Sequence, residues 1–161
     1  MTESAPESRP VSASRVEMTE IVFPNDANPL GNAMGGRVMH WVDICAAVAA
    51  GRHARTPVVT ASVDQIDFLR PVPVGSILVL LASVNYAHRT SMEVGVKVFC
   101  EDRKSGERLH VVSAYLTFVS LAKESGRPTP VPAIAPQTPD ETRRFEAAVR
   151  RREARVARRK A

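Results

Sequence analysis

Aromatic side chains are scarce in this chain: five Phe, two Tyr and one Trp among 161 residues. The interior must therefore be built from Val, Leu, Ile and Ala. With 44% hydrophobic residues over this length, one domain with a sizeable core is the simplest reading. Cysteine is nearly absent. Cys45 and Cys100 sit in apolar segments without metal-ligand spacing, which argues against a disulfide framework and for buried free thiols in a reducing cytoplasm. Long apolar runs are missing too, since residues 44–50 and 77–82 are far too short to cross a bilayer. Residues 1–14 hold no apolar segment of the kind a secretory signal needs, and read as a disordered lead-in. Nor does the body carry an excess of either charge. From Thr138 onward there are nine Lys/Arg against four Asp/Glu, leaving thirteen of each before it. The pI of about 9.8 thus belongs to the tail, and nucleic acid is not an expected partner of the body.

What is present is a regular order of elements. Residues 15–23 read as a strand, 26–34 as a loop rich in Asn, Gly and Pro, and 35–53 as a helix apolar nearly all round, hence buried all round. Four strands follow, over 58–68, 77–86, 91–101 and 109–121, joined by short turns that favour antiparallel neighbours. In the first of these the alternation shifts phase near Asp64-Gln65, as at a bulge. The last carries Val111, Tyr115 and Val119 on one face and Val112, Leu116 and Phe118 on the other, so its second face calls for a protein partner. Residues 126–138 are proline-rich and read as a linker. Thr138-Pro-Asp-Glu141 then opens a basic helix to about residue 159, expected to be solvated and partly frayed. One helix wrapped by a five-stranded antiparallel sheet, an α+β arrangement called a hotdog fold, accounts for this order.

The most apolar stretch contains a single carboxylate. Residues 35–51 run Gly-Gly-Arg-Val-Met-His-Trp-Val-Asp-Ile-Cys-Ala-Ala-Val-Ala-Ala-Gly, and Asp43 lies in the middle. A carboxylate there loses water and needs a partner or a task. Gly35 and Gly36 leave backbone N–H groups free at the helix start, where an oxyanion binds. A base and an oxyanion site on one segment point to hydrolysis of a carbonyl compound, with Asp43 either deprotonating a water or attacking the carbonyl directly to form an anhydride. Thr60 is a candidate to support Asp43 or the water. His40, one turn before Asp43, reads as a structural or rim residue, and Met39 and Trp41 as core or interface. Gly36 and Asp43 are seven residues apart, roughly 10 Å along a helix. Groups acting on one carbonyl must lie within roughly 3 Å of the reacting atoms. Two antiparallel copies of the helix would bring Asp43 of one chain to the glycines of the other, which predicts an obligate dimer with two identical sites.

Several stretches carry a family resemblance: Asn28-Pro-Leu-Gly-Asn-Ala-Met-Gly-Gly-Arg-Val-Met-His-Trp-Val-Asp43, Val59-Thr-Ala-Ser-Val-Asp64, Phe68-Leu-Arg-Pro71, Arg89-Thr-Ser-Met-Glu-Val94 and Tyr115-Leu-Thr-Phe-Val119. On these the chain resembles the hotdog acyl-CoA thioesterases of the cytosolic acyl-CoA hydrolase type, over about residues 16–134. The resemblance implies metal-independent hydrolysis of acyl-CoA to fatty acid and CoA, with no cofactor beyond the CoA of the substrate. It implies Asp43 and Asn32 as the catalytic pair, and dimers assembled further into hexamers. Asn28, Arg89, Thr90 and Ser91 are candidate contacts for substrate or CoA. The expected organisation is a lead-in (1–14), a hotdog domain (15–134) and a proline-rich linker with a basic helix (135–161). Two other functions share this fold. A non-catalytic acyl-CoA sensor would leave Asp43 idle. A hotdog enoyl-CoA hydratase has an Asp-x-Asn-Pro-(apolar)-His signature, whose His position is Gly31 here.

Overall fold

The computed structural model describes residues 7–161. One long helix, α1 (Gly35–Ala54), lies in the concave face of a five-stranded antiparallel sheet. The strands are β2 (Val16–Ile21), β3 (Val58–Phe68), β4 (Ile77–His88), β5 (Ser91–Glu101) and β6 (Arg108–Ser120), in spatial order β2-β4-β5-β6-β3. Sequence order puts β2 and β3 on either side of α1, and they become the two edges. The expected hotdog architecture is present, with an ordered N-terminal segment and a C-terminal helix added to it.

Small side chains let α1 sit close to the sheet. Cys45, Ala46, Ala49 and Ala50 are fully buried, facing Leu78, Leu80, Val94, Val98, Val112 and Phe118. Alternate strand residues supply this inner layer, as the period of two requires. Burial pushes the Cys45 thiol up to about 11, with Arg52 opposing, so it is an inert packing residue. Cys45 and Cys100 are both free, Cys100 being only partly buried. The helix is not buried all round. Ile44 and Val48, one turn apart, are exposed on one flank of its open face and Met39 on the other, because the sheet wraps only the remaining faces of α1.

Strand β3 carries two bulges. Its partners on β6 run Thr60↔Phe118, Ser62↔Thr117, Val63↔Leu116 and Gln65↔Tyr115, so Ala61 and Asp64 have no partner of their own. The predicted phase shift at Asp64-Gln65 is one of these; the other was not visible in the alternation.

The termini depart from expectation. Residues 1–6 of the expected disordered lead-in lie outside the described residues, but the rest is ordered. β1 (Ser8–Pro10) pairs in parallel with β7 (Ala133–Ala135), drawn from the expected linker. A 3₁₀ turn at Val11–Ser14 follows. Val11 is buried in the core, and Ser14 Oγ accepts from Val84 N at 2.9 Å. Arg9 donates to the His53 carbonyl, and His53 Nε2 donates to Pro132 O at 2.8 Å. Backbone pairing and a buried serine overrode a composition typical of disorder.

The basic helix α2 (Pro139–Lys160) begins at its cap signal, where Thr138 Oγ1 accepts from Glu141 N at 3.1 Å. It is not a frayed tail. Ala148 is fully buried and Phe145 meets Tyr86 edge-on at 5.0 Å. Arg151 clasps Glu93 through Nη2–Oε1 at 2.7 Å and Nε–Oε2 at 3.0 Å, with its guanidinium 3.7 Å from the Tyr115 ring centre. The second face of β6, expected to need a protein partner, is met at Tyr115 and Thr117 by Arg151 and Arg155 of the chain's own helix.

Candidate active site

Asp43 and Thr60 meet. Thr60 Oγ1 donates to Asp43 Oδ1 at 2.6 Å, from the edge strand to the middle of α1. The geometry follows from local sequence. On β3 the inward set is Thr60, Val63, Ile66 and Phe68, spaced three, three and two because of the two bulges. Asp43 and Thr60 open into a cavity of about 310 Å³ lined by Met39, His40, Val42, Val63, Ile66 and Leu116. Its walls are apolar except for Asp43, Thr60 and His40. Asp43 is half-buried and Thr60 exposed in the single chain, not sealed as the apolar stretch suggested. Oδ2 of Asp43 accepts from no described residue and is free for a water or a substrate atom. His40 lines the cavity without bonding Asp43.

The other candidates divide. Gly35 and Gly36 form the first turn of α1, after Met34, and their N–H groups donate to no described residue. A Cβ on Gly35 would touch the Phe68 ring at 3.5 Å, whereas Gly36 faces open space. Seven helical residues turn through nearly two full circles, so Gly36 and Asp43 share one face but stay roughly 10 Å apart. One chain does not bring them together.

The loop before α1 is tied down by Asp26. Its Oδ2 accepts from Phe23 N at 2.8 Å, its Oδ1 pairs with Arg37 Nε at 3.0 Å, and its carbonyl accepts from Met34 N at 2.8 Å. Asn28 Oδ1 accepts from Leu30 N (3.0 Å) and Asn32 N (3.1 Å). Both acceptances fix the orientation of the Asn28 amide and leave its Nδ2 without a described acceptor. Asn32 closes the loop through its backbone, its carbonyl accepting from Asn28 N at 2.8 Å. Arg89, Thr90 and Ser91 form the β4–β5 turn, Arg89 with φ 54°. Ser91 stands opposite Val119, which stands opposite Val59. That turn is therefore at the Thr60 end of the sheet but two strands away, roughly 10 Å.

Sequence reasoning missed the cavity walls Val63, Ile66 and Leu116. The inward phase of β3 would have revealed the first two, had the bulges not broken the alternation. Among the described residues no three His, Cys, Asp or Glu gather as metal ligands, and no helix is long and apolar enough to cross a membrane.

Comparison with known proteins bears on this site. The family model of the thioesterase superfamily matches residues 30–107, from the Asn28 loop through β5. The Bacillus subtilis protein named uncharacterized acyl-CoA thioester hydrolase YkhA is 40% identical over 146 residues, covering 91% of this chain and 84% of its own length. The chain belongs to the thioesterase superfamily. Within it, a solved acyl-CoA hydrolase from Staphylococcus aureus, an Asn28→Ala form in complex with coenzyme A, superposes with a TM-score of 0.92. It shares 37% identity, over 96% of this chain and 92% of that one. Further structures of that enzyme carry Asp43→Ala and Thr60→Ala. An apo-hexameric acyl-CoA thioesterase matches with a TM-score of 0.90 and 43% identity, over 94% of this chain and 97% of the other.

Proposed function

We propose that this thioesterase-superfamily protein hydrolyses acyl-CoA thioesters to a carboxylic acid and free CoA. The observation that carries the reading is the Thr60–Asp43 contact at the mouth of an apolar cavity. Thr60 clasps one carboxylate oxygen and holds the other toward the cavity. Asp43 takes a proton from a water, the resulting hydroxide adds to the thioester carbonyl, and the tetrahedral intermediate carries an oxyanion. Collapse breaks the C–S bond, and the CoA thiolate leaves and is protonated. The oxyanion is held by amide donors at the start of α1, Gly35 and Gly36, with their unpaired N–H groups and the positive end of the helix.

The Asn28, Asp43 and Thr60 of this chain have the same types and numbers as the three positions replaced in the S. aureus enzyme. We therefore assign the amide of Asn28, rather than Asn32, to the substrate carbonyl: its Nδ2 is held in place by the two amides on Oδ1. The site is also completed by a second copy. Gly36 and Asp43 lie too far apart in one chain, Met39, Ile44 and Val48 on the open face of α1 are bare, and the edge strand β3 exposes Val59, Val63 and Phe68. Two copies related by a two-fold axis cover these surfaces and bring each Asp43 to the other's helix start. A trimer of such dimers agrees with the hexameric neighbour. The reading needs no metal or cofactor, and the free thiols suit a cytoplasmic place. The hydratase alternative fails on Asp26, both of whose oxygens are occupied, and on Gly31, which has no side chain to act as acid.

Thiol release from a panel of acyl-CoAs tests this. Asp43→Asn is expected to lower kcat about 1000-fold, within the range of general-base catalysis. Unchanged turnover in that variant would overturn the mechanism, binding without turnover in wild type would favour a sensor, and water addition to crotonyl-CoA a hydratase. Full activity in a monomer would overturn the shared site.

A further inference from the structure

The bulged residue Asp64 is the least explained charge in the body. Its side chain is only 6% exposed, yet it lies on an edge strand four residues from Thr60. It accepts from Ser62 Oγ at 2.7 Å, from Thr117 Oγ1 at 2.6 Å and from Arg155 Nη1 at 3.1 Å. Arg155 Nη1 also reaches Thr117 Oγ1 at 2.9 Å. These groups come from three elements, β3, β6 and α2, and all converge on one of the two β3 residues that have no β6 partner. Burial pushes the Asp64 carboxyl up, but the bonds from Thr117 and Ser62 and the charge of Arg155 outweigh it, holding the group ionised below the usual range.

A bulge leaves its extra residue unpaired, and contacts of that residue with neighbouring elements can hold it in place. Asp64 turns outward, into this cluster, and so lets Val63 and Ile66 both face inward. Removing one extra residue from a strand slips its register by one and moves every residue beyond it to the other face. Thr60 is on the far side of that slip. We propose that Arg155 and Asp64 are positioning residues, an ion pair between the C-terminal helix and the bulge of β3 that keeps Thr60 aimed at Asp43. The tail helix is thus part of the catalytic apparatus at one remove. This rests on the acyl-CoA hydrolase reading for its kinetic consequence, but not for its structural one.

Arg151 provides an internal control. It lies one turn before Arg155 on α2 and docks the helix with more contacts, but onto Glu93 of β5 and Tyr115 of β6. The test compares Arg155→Ala, Arg155→Lys and Arg151→Ala in the full chain. Arg155→Ala is expected to lower kcat about tenfold at unchanged KM, below the roughly 100-fold loss that a 1 Å misplacement can bring. Arg155→Lys should restore most of it, and Arg151→Ala should lower Tm at least as far while keeping wild-type kcat. Equal loss of kcat in both alanine variants, or none in Arg155→Ala, would overturn the proposal. Amide exchange of residues 60–64 reads the strand directly, whatever the turnover. It should quicken in Arg155→Ala and not in Arg151→Ala, and unchanged protection in Arg155→Ala would overturn the proposal even if no acyl-CoA is hydrolysed. Should Arg155→Ala not fold, Arg155→Gln, which keeps part of the aliphatic stem, gives the same contrasts.

Discussion

The two faces of the five-stranded sheet are held by different physics. The inner face is apolar, with Leu78, Leu80, Val94, Val98 and Phe118 packed on the small residues of α1. The outer face is polar beneath α2: Asn85 donates to Glu93 at 3.1 Å, Arg151 clasps Glu93, and Arg155 reaches Asp64 and Thr117. Apolar packing is non-directional and sets how much the sheet is stabilised. A buried charged network adds less net stability but is intolerant of displacement, because any lost partner leaves an uncompensated group. The cavity at Asp43 and Thr60 lies on the inner face, while the groups that meet at the Asp64 bulge lie on the outer one. Division of this kind lets the inner face stay apolar while polar contacts on the outer face tie down the strand that carries Thr60.

The largest expected effect breaks the inner face. Phe118→Ala removes a fully buried ring in register with Thr60, and should cost about 4 kcal/mol in urea unfolding. A loss under about 1 kcal/mol would mean that the inner face repacks freely, contrary to the close packing inferred here. A middle effect breaks the outer face by steric means. Gly95 has room for no Cβ, since one would stand 2.7 Å from the Nδ2 of buried Asn85. Gly95→Ala should therefore cost about 2 kcal/mol by dislodging Asn85 from Glu93, and the loss should shrink in a Gly95→Ala, Asn85→Ala double variant. The smallest effect sharpens the contrast through pH. Asp64 is an acid with a depressed folded-state pKa, so its contribution is present above the ordinary carboxylate value and lost as pH falls through the folded one. The Tm difference between wild type and Asp64→Asn should hold steady above about pH 4 and close below it. A difference that persists unchanged at lower pH would detach Asp64 from the ionised network. Phe118→Ala, whose side chain does not titrate, should show no such closing.

How much of this was legible beforehand depended on how local the cause was. Helix α1 was readable from its run of Val, Ala and Ile after a glycine pair, and β5 from the strict alternation of Met92, Val94, Val96 and Val98. Thr138-Pro139 and Glu141 announced α2, since a cap is made by residues three apart. Asp43 was visible as a misfit charge, and its partner Thr60 as a polar residue on a strand able to reach it. Less legible were groups whose partners are far along the chain. Nothing near Arg9 forecasts a bond to His53, and nothing near Arg155 forecasts Asp64, 91 residues away. Residues 8–14 looked disordered because composition counts apolar content, whereas a backbone strand and the buried Ser14 hold them by hydrogen bonds. The second face of β6 looked bare because Arg151 and Arg155, which reach its Tyr115 and Thr117, lie beyond a proline-rich stretch that resembled a linker.

By itself, the sequence determined the elements, their order and the presence of a carboxylate in an apolar helix, because periodicity, caps and desolvation act over a few residues. Only the tertiary structure decided which oxygen of Asp43 is held, which strand residues face it, and that the basic tail points its Arg151 and Arg155 inward. Those outcomes depend on bulges and ion pairs whose two halves meet only after the chain has closed, where burial makes a misplaced charge too costly to tolerate.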